Sequence, residues 1–266
     1  MTTRIISGVV IAVVAVVIIS RGGWLFFGLG VVLAFAGLNE FYRLVRRYKP
    51  FPLAGFVGLG LMLAFAWLGT PLALLGACAA TVALSALLGM LAGLKPGVTA
   101  RIGVTALGAL YAGLGFAFLL LMRRLALPEI PSFGRDMVLT VVFGTWAGDT
   151  VAYFAGKWFG ATPMTPTLSP KKTWEGFAGG LIGTVLLVVL IGLYTELDAL
   201  QSVILGATIG VVGPVGDLFE SLVKRDVQIK DSGRGIPGHG GVLDRFDALL
   251  WTAVASFFVL TTGFGF

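Results

Sequence analysis

The chain has 266 residues, of which 57% are hydrophobic and only 12% charged, with a mean hydropathy of +0.97. A soluble domain carries about a quarter charged residues, so this composition excludes a water-exposed globule and leaves lipid as the surroundings. The net charge of +6 is accounted for by basic loops beside membrane spans rather than by nucleic acid, and the single cysteine, Cys78, excludes a disulfide framework.

A bilayer core about 30 Å thick takes roughly 20 apolar residues at 1.5 Å each. By that ruler the sequence predicts an all-α, polytopic transmembrane bundle of about nine spans: 4–20, 23–41, 52–69, 71–93, 103–122, 137–156, 176–195, 200–224 and 246–263. The first resembles a signal peptide. However, no small-x-small cleavage site follows it, and Arg21-Gly22-Gly23 leads into another apolar run, so an uncleaved span is expected. The third and fourth are divided only by Gly69-Thr70-Pro71, a tight-turn composition. Spans one to five form an N-terminal region, 1–136. The chemistry is expected in a C-terminal region, 137–266, with a cytoplasmic loop at 225–243.

Nine spans put the termini on opposite sides. Of the 19 Lys and Arg residues, all but Arg21, Arg123, Arg124 and Arg135 then share the N-terminal side. That bias predicts a cytoplasmic N-terminus and an external C-terminus. Gly176 and Gly180, Gly179 and Gly183, and Gly206 and Gly210 are spaced four apart, as in close helix packing. Packing within the chain is favoured over a dimer seam. Pro214 should kink the eighth span and leave carbonyls without helical partners.

Charged groups inside spans need a reason. Asp149 lies eight residues before Lys157, roughly 12 Å below the interface at helical rise, and Asp217 seven before Lys224, about 10 Å deep. Asp244 and Asp247 open the ninth span and, three apart, share a helix face. Four acids at the cytoplasmic ends of three helices fit a Mg²⁺ site, since that ion takes hard oxygen ligands and keeps some waters. Zinc is excluded by a lone His and a lone Cys without ligand spacing. For Asp149 an ion pair with a nearby Lys or Arg is an equal account.

The loop between these acids interleaves Gly233, Gly235, Gly238, Gly240 and Gly241 with Arg234 and His239, and Lys224, Arg225 and Lys230 stand beside it. Glycine lets backbone N–H groups turn toward an anion. His239, between glycines, is expected to touch phosphate or substrate rather than to abstract a proton, because a phosphate monoester is already largely ionised near neutral pH. A third segment runs Ser169-Pro-Lys-Lys-Thr-Trp-Glu-Gly. Ser169 before Pro170 looks like a helix cap followed by proline at the first helical position, with Thr173 as the alternative cap one turn later. Either way Lys171 and Lys172 sit at a helix N-terminus, where the macrodipole disfavours cations unless an anion binds.

Ser221-Leu-Val-Lys-Arg, Lys230-Asp-Ser-Gly and Pro237-Gly-His-Gly-Gly-Val-Leu-Asp-Arg-Phe-Asp247 together resemble the signature of the phosphatidate cytidylyltransferases, or CDP-diacylglycerol synthases. The segments at Asp149 and Ser169 are similar to further family segments, and the informative resemblance covers about 144–250. It implies that CTP and phosphatidic acid give CDP-diacylglycerol and pyrophosphate with Mg²⁺. It allows a second, monovalent cation such as K⁺. Asp217, Asp244 and Asp247 are implied as the metal centre, with Lys224 as a further catalytic group. Ser169, Lys171, Lys172, Thr173, Arg225, Lys230, Asp231, His239, Arg245 and Asp149 are implied on the substrate side. A homodimer in a bacterial cytoplasmic membrane, its active site facing the cytoplasm, is implied as well. Two rivals share parts of the pattern. A CTP- or ATP-dependent lipid or polyprenol kinase would use the same acids and cations. A cation transporter would use Asp149 and Asp217 but leave the basic glycine loop unexplained.

Overall fold

The computed structural model describes residues 2–68, 71–229 and 241–266. Its helices fall where the apolar runs fall: α1 (Thr2–Arg21), α2 (Gly23–Leu44), α3 (Pro52–Leu68), α4 (Pro71–Leu91), α5 (Val98–Arg123), α6 (Phe133–Phe159), α7 (Trp174–Gly192), α8 (Ala199–Asp226) and α9 (Leu243–Phe258). The last continues into a π-helical turn, Val259–Gly263. Among the described residues, seven helices are long and apolar enough to cross a membrane, and Ala12–Arg21 and Pro52–Leu68 are apolar but shorter. The chain is an all-α polytopic membrane bundle, as its composition predicts.

Several helices outrun their apolar stretch, because hydropathy marks the part in lipid and not the end of hydrogen bonding. Helix α6 begins at Phe133, ahead of its predicted start, on a polar turn in which Asp136 accepts from Ser132 Oγ at 2.9 Å and pairs with Arg135 Nε at 2.8 Å. Helix α9 begins at Leu243, so Asp244 and Asp247 lie inside its first two turns.

The chain divides into two compact units, Met1–Leu121 with Asp226–Arg245, and Met122–Arg225 with Phe246–Phe266. In the first, α2, α3 and α4 pack in sequence. A Cβ on Gly58 would overlap the side chain of Thr81, so α3 and α4 meet backbone to side chain at that level. The Tyr42 hydroxyl donates to the Thr105 carbonyl, and the Phe51 N–H donates to Thr105 Oγ1, both at 2.8 Å. In the 3-10 turn that follows α2, Arg46–Tyr48, the Arg47 guanidinium and the Tyr48 hydroxyl both donate to Asp226 at 2.8 Å.

In the second unit the glycine spacing is used within the chain. Gly176, Gly179, Gly180 and Gly183 face Ala152, Ala155 and Val151 of α6, and Gly206 and Gly210 face Val185 and Leu181 of α7. Small residues let these backbones approach where lipid offers no hydrophobic drive to associate. Helix α8 runs unbroken through Pro214. Proline has no N–H to give, so the Gly210 carbonyl lacks its ordinary helical donor. Between α6 and α7 lies a short antiparallel hairpin, β1 (Pro163–Thr165) and β2 (Ser169–Thr173), with Pro163 opposite Thr173 and Thr165 opposite Ser169.

Candidate active site

The hairpin corrects one expectation. Ser169 does not cap a helix; it is a strand residue paired with Thr165. Thr173, the alternative, is the cap of α7: its Oγ1 accepts from the Gly176 N–H at 3.1 Å. The physical reason lies in Lys171 and Lys172. Placed inside a first helical turn, both would face the positive end of the dipole. As residues of β2 they stand before the cap instead, between the paired residues Ser169 and Thr173. Arg225, near the end of α8, donates through Nε to the Leu168 carbonyl at 3.4 Å and so touches the hairpin turn.

Placed this way, β2 delivers Lys172 to α8. Its Nζ lies 2.7 Å from Asp217 Oδ2, and both side chains are partly exposed. Asp217 Oδ1 also faces Ser221 Oγ at 3.4 Å, one turn on. Three residues after Asp217 comes Glu220, 2% exposed, whose Oε2 pairs with Lys224 Nζ at 3.1 Å. Asp247 on α9 accepts from its neighbour's Ala248 N–H at 2.8 Å and lies within electrostatic reach of Asp217, Glu220 and Lys224. Asp149 on α6 completes the group, facing Asp247, Asp217 and Lys172. Asp149 also lines a narrow cleft, together with Gly148, Gly180, Gly210, Gly213 and Pro214. Of these glycines, Gly148, Gly180 and Gly210 are also places where neighbouring helices approach closely.

Asp149, Asp217, Glu220 and Asp247 are four carboxylates facing two ammonium groups, Lys172 and Lys224. So many acidic oxygens gathered within apolar helices need partners, since isolated charge there is strongly disfavoured. The donor set, all hard oxygen, fits a divalent cation such as Mg²⁺. Among the described residues no three acids are already drawn into a ready ligand set. Lys172 holds the place on Asp217 that a cation would take.

Of the other expected residues, Lys171 is exposed on β2, and Arg245 is exposed in the first turn of α9. Asp244 belongs to the first unit, where its Oδ2 accepts from the Gly241 N–H at 3.1 Å. Lys230, Asp231 and His239, with most of the glycine-rich loop, lie outside the described residues. Glu220 was not among the expected groups. Its signal was present: an acid within an apolar helix, three residues after one candidate and four before another.

A profile for the cytidylyltransferase family matches residues 2–262. A phosphatidate cytidylyltransferase of Bacillus subtilis is 32% identical over 269 aligned positions, covering 98% of this chain and 97% of the relative. One from Synechocystis is 34% identical over 276 positions, covering 95% and 94%. A Mycobacterium bovis protein of the same name reaches 43% identity over 136 positions, 49% of this chain.

Proposed function

We infer, because this chain belongs to the cytidylyltransferase family, that it transfers CMP from CTP to phosphatidic acid, giving CDP-diacylglycerol and pyrophosphate. The observation that carries this reading into the structure is the meeting of Asp149, Asp217, Glu220 and Asp247 with Lys172 and Lys224 in one membrane-embedded group.

Asp217 and Asp247 would hold Mg²⁺, and Asp244, three residues before Asp247 on the same helix, is proposed as the third acid on spacing alone. The bound ion would supply charge neutralisation at the phosphate oxygens. An oxygen of the lipid phosphate bonds to the α-phosphorus of CTP, and the bond from that phosphorus to the bridging oxygen breaks, its electron pair leaving with pyrophosphate. No base is required, since the phosphate monoester is already ionised. The protein's work is positioning and electrostatics. With a cation on Asp217, Lys172 would be free to reach the triphosphate, while Lys171, Lys224 and Arg225 hold the triphosphate or the departing pyrophosphate. Lys230, Asp231, His239 and Arg245 are proposed to complete the nucleotide side, and K⁺ is a candidate second cation. Asp149 and its cleft face the lipid headgroup.

The charge bias of the loops supports a cytoplasmic N-terminus, an external C-terminus and a site open to the cytoplasmic face of a bacterial cytoplasmic membrane. A homodimer belongs to the same proposal. Because the glycine stripes of α7 and α8 are consumed inside the chain, its contacts fall on other faces.

Purified protein given phosphatidic acid, Mg²⁺ and CTP labelled in the cytidine is expected to yield labelled lipid and one pyrophosphate per turnover. Lipid labelled only from the γ-phosphate would make the protein a kinase instead. Lys171→Ala and Lys172→Ala are each expected to raise the KM for CTP about tenfold, the scale of one charge-assisted hydrogen bond to phosphate. Thermal stability should barely move, since the pair from Lys172 to Asp217 is partly exposed. Saturation curves in CTP check this, and an unchanged KM in both variants refutes the assignment.

A further inference from the structure

Helix α9 starts on an apolar residue. Its first residue is Leu243, and Val242 before it has no side-chain acceptor. The first N–H groups of a helix have no partners within it. Near this end, the Arg245 N–H is met by the Val242 carbonyl at 3.1 Å, and Asp244 bends back to the Gly241 N–H. The Leu243 N–H is met by a side chain 203 residues away. Glu40, near the end of α2, accepts it through Oε2 at 3.0 Å.

Glu40 is 7% exposed and Leu243 1%. A carboxylate is buried at this depth only with partners, and a helix N-terminus offers both unmet donors and a positive dipole. One turn earlier on α2, a Cβ on Gly37 would lie 3.3 Å from Leu243 Cδ2. Helix α2 therefore lies directly against the first residue of α9, and its one acid is aimed at that residue's N–H.

We propose that Glu40 is a positioning residue for Asp244, the first acid of α9. From the second helix it holds the residue at which α9 begins, and with it the placement of Asp244 next in the chain. This gives the N-terminal helices a part in the chemistry, and it rests on the proposed role of that acid. A hydrogen bond that only stabilised the fold would lower the yield of folded protein without altering turnover per folded molecule.

The test uses the full chain in detergent. In Glu40→Gln the side-chain carbonyl still accepts; in Glu40→Ala nothing does. Glu40→Ala is expected to lower kcat about tenfold to thirtyfold, with KM for CTP within about twofold, because small displacements of reacting groups act on the transition state. The Mg²⁺ concentration for half-maximal rate should rise, and Glu40→Gln should stay within about threefold of the parent. Without nucleotide or metal, amide hydrogen exchange over 243–247 should be about tenfold faster in Glu40→Ala and unchanged in Glu40→Gln. Unchanged exchange in Glu40→Ala, or a glutamine variant as impaired as the alanine one, overturns the proposal. If Glu40→Ala does not fold, Glu40→Asp, whose acceptor is one methylene short, replaces it under the same criteria. Exchange needs no turnover. Full activity in Asp244→Asn and Asp247→Asn would therefore sink the metal assignment while leaving the cap on α9 measurable.

Discussion

Asp217→Asn, and independently Asp247→Asn, is expected to lower turnover by about 10³-fold or more, equivalent to roughly 4 kcal/mol of transition-state stabilisation. Each removes an anionic oxygen from a site whose proposed work is to gather a cation around phosphate. Asparagine keeps the shape of aspartate, so packing is preserved and the loss falls on charge. Stability should be nearly unchanged. Breaking the half-exposed pair between Asp217 and Lys172 costs about 0–1 kcal/mol. At Asp247 the substitution takes one like charge away from Asp217, and the asparagine amide can still hydrogen-bond to Glu220. Melting in detergent beside Mg²⁺-dependent rates checks both halves. Activity within about tenfold of the parent in both variants would end the metal assignment. Equal losses of stability and rate would make these structural acids instead.

The helices were legible because lipid imposes a single rule along nearly the whole chain: an apolar stretch of spanning length must satisfy its own backbone. The glycine pairs were legible for a related reason, since spacing of four marks one helix face. Acids such as Asp149, Asp217 and Asp247 stood out against apolar runs. What escaped lies mostly in pairings across the sequence. Hairpin strands of three and five residues, one opening on proline and the other carrying two lysines, have no periodicity to read. That Lys172 meets Asp217 follows from the hairpin and is invisible without it, and the hairpin decides for Thr173 over Ser169 as the cap of α7. Glu40 carries the same signal as the other acids, a charge within an apolar run. Its partner is the backbone of Leu243, 203 residues on, and no local pattern points there.

Gly216→Ala is the second large expected effect, and it tests the site through its frame. A methyl at Gly216 would fall 2.5 Å from the Asp247 carbonyl oxygen, 2.9 Å from Trp251 Cδ1 and 3.1 Å from Ala248 Cα. Two of those atoms are backbone, so α8 and α9 must separate. Such overpacking costs about 1–3 kcal/mol, more than the roughly 1 kcal/mol that alanine gains over glycine in a helix. Asp217 follows Gly216 directly, and Asp247 is the residue whose carbonyl is struck. The same shift therefore moves two acids apart, and a displacement of about 1 Å is enough to lower kcat on the order of 10²-fold. One turn earlier, Gly213 provides the control. A methyl there meets Thr252 Cγ2 at 3.6 Å and Ala248 Cβ at 3.9 Å, ordinary contact distances. Gly213→Ala should leave kcat and melting temperature at or slightly above the parent's, any effect on the cleft it lines falling on the KM for phosphatidic acid. If the two variants behave alike, the contact of α8 with α9 does not set the distance between Asp217 and Asp247. If only Gly216→Ala loses rate, the spacing of those carboxylates, and not their charge alone, limits turnover.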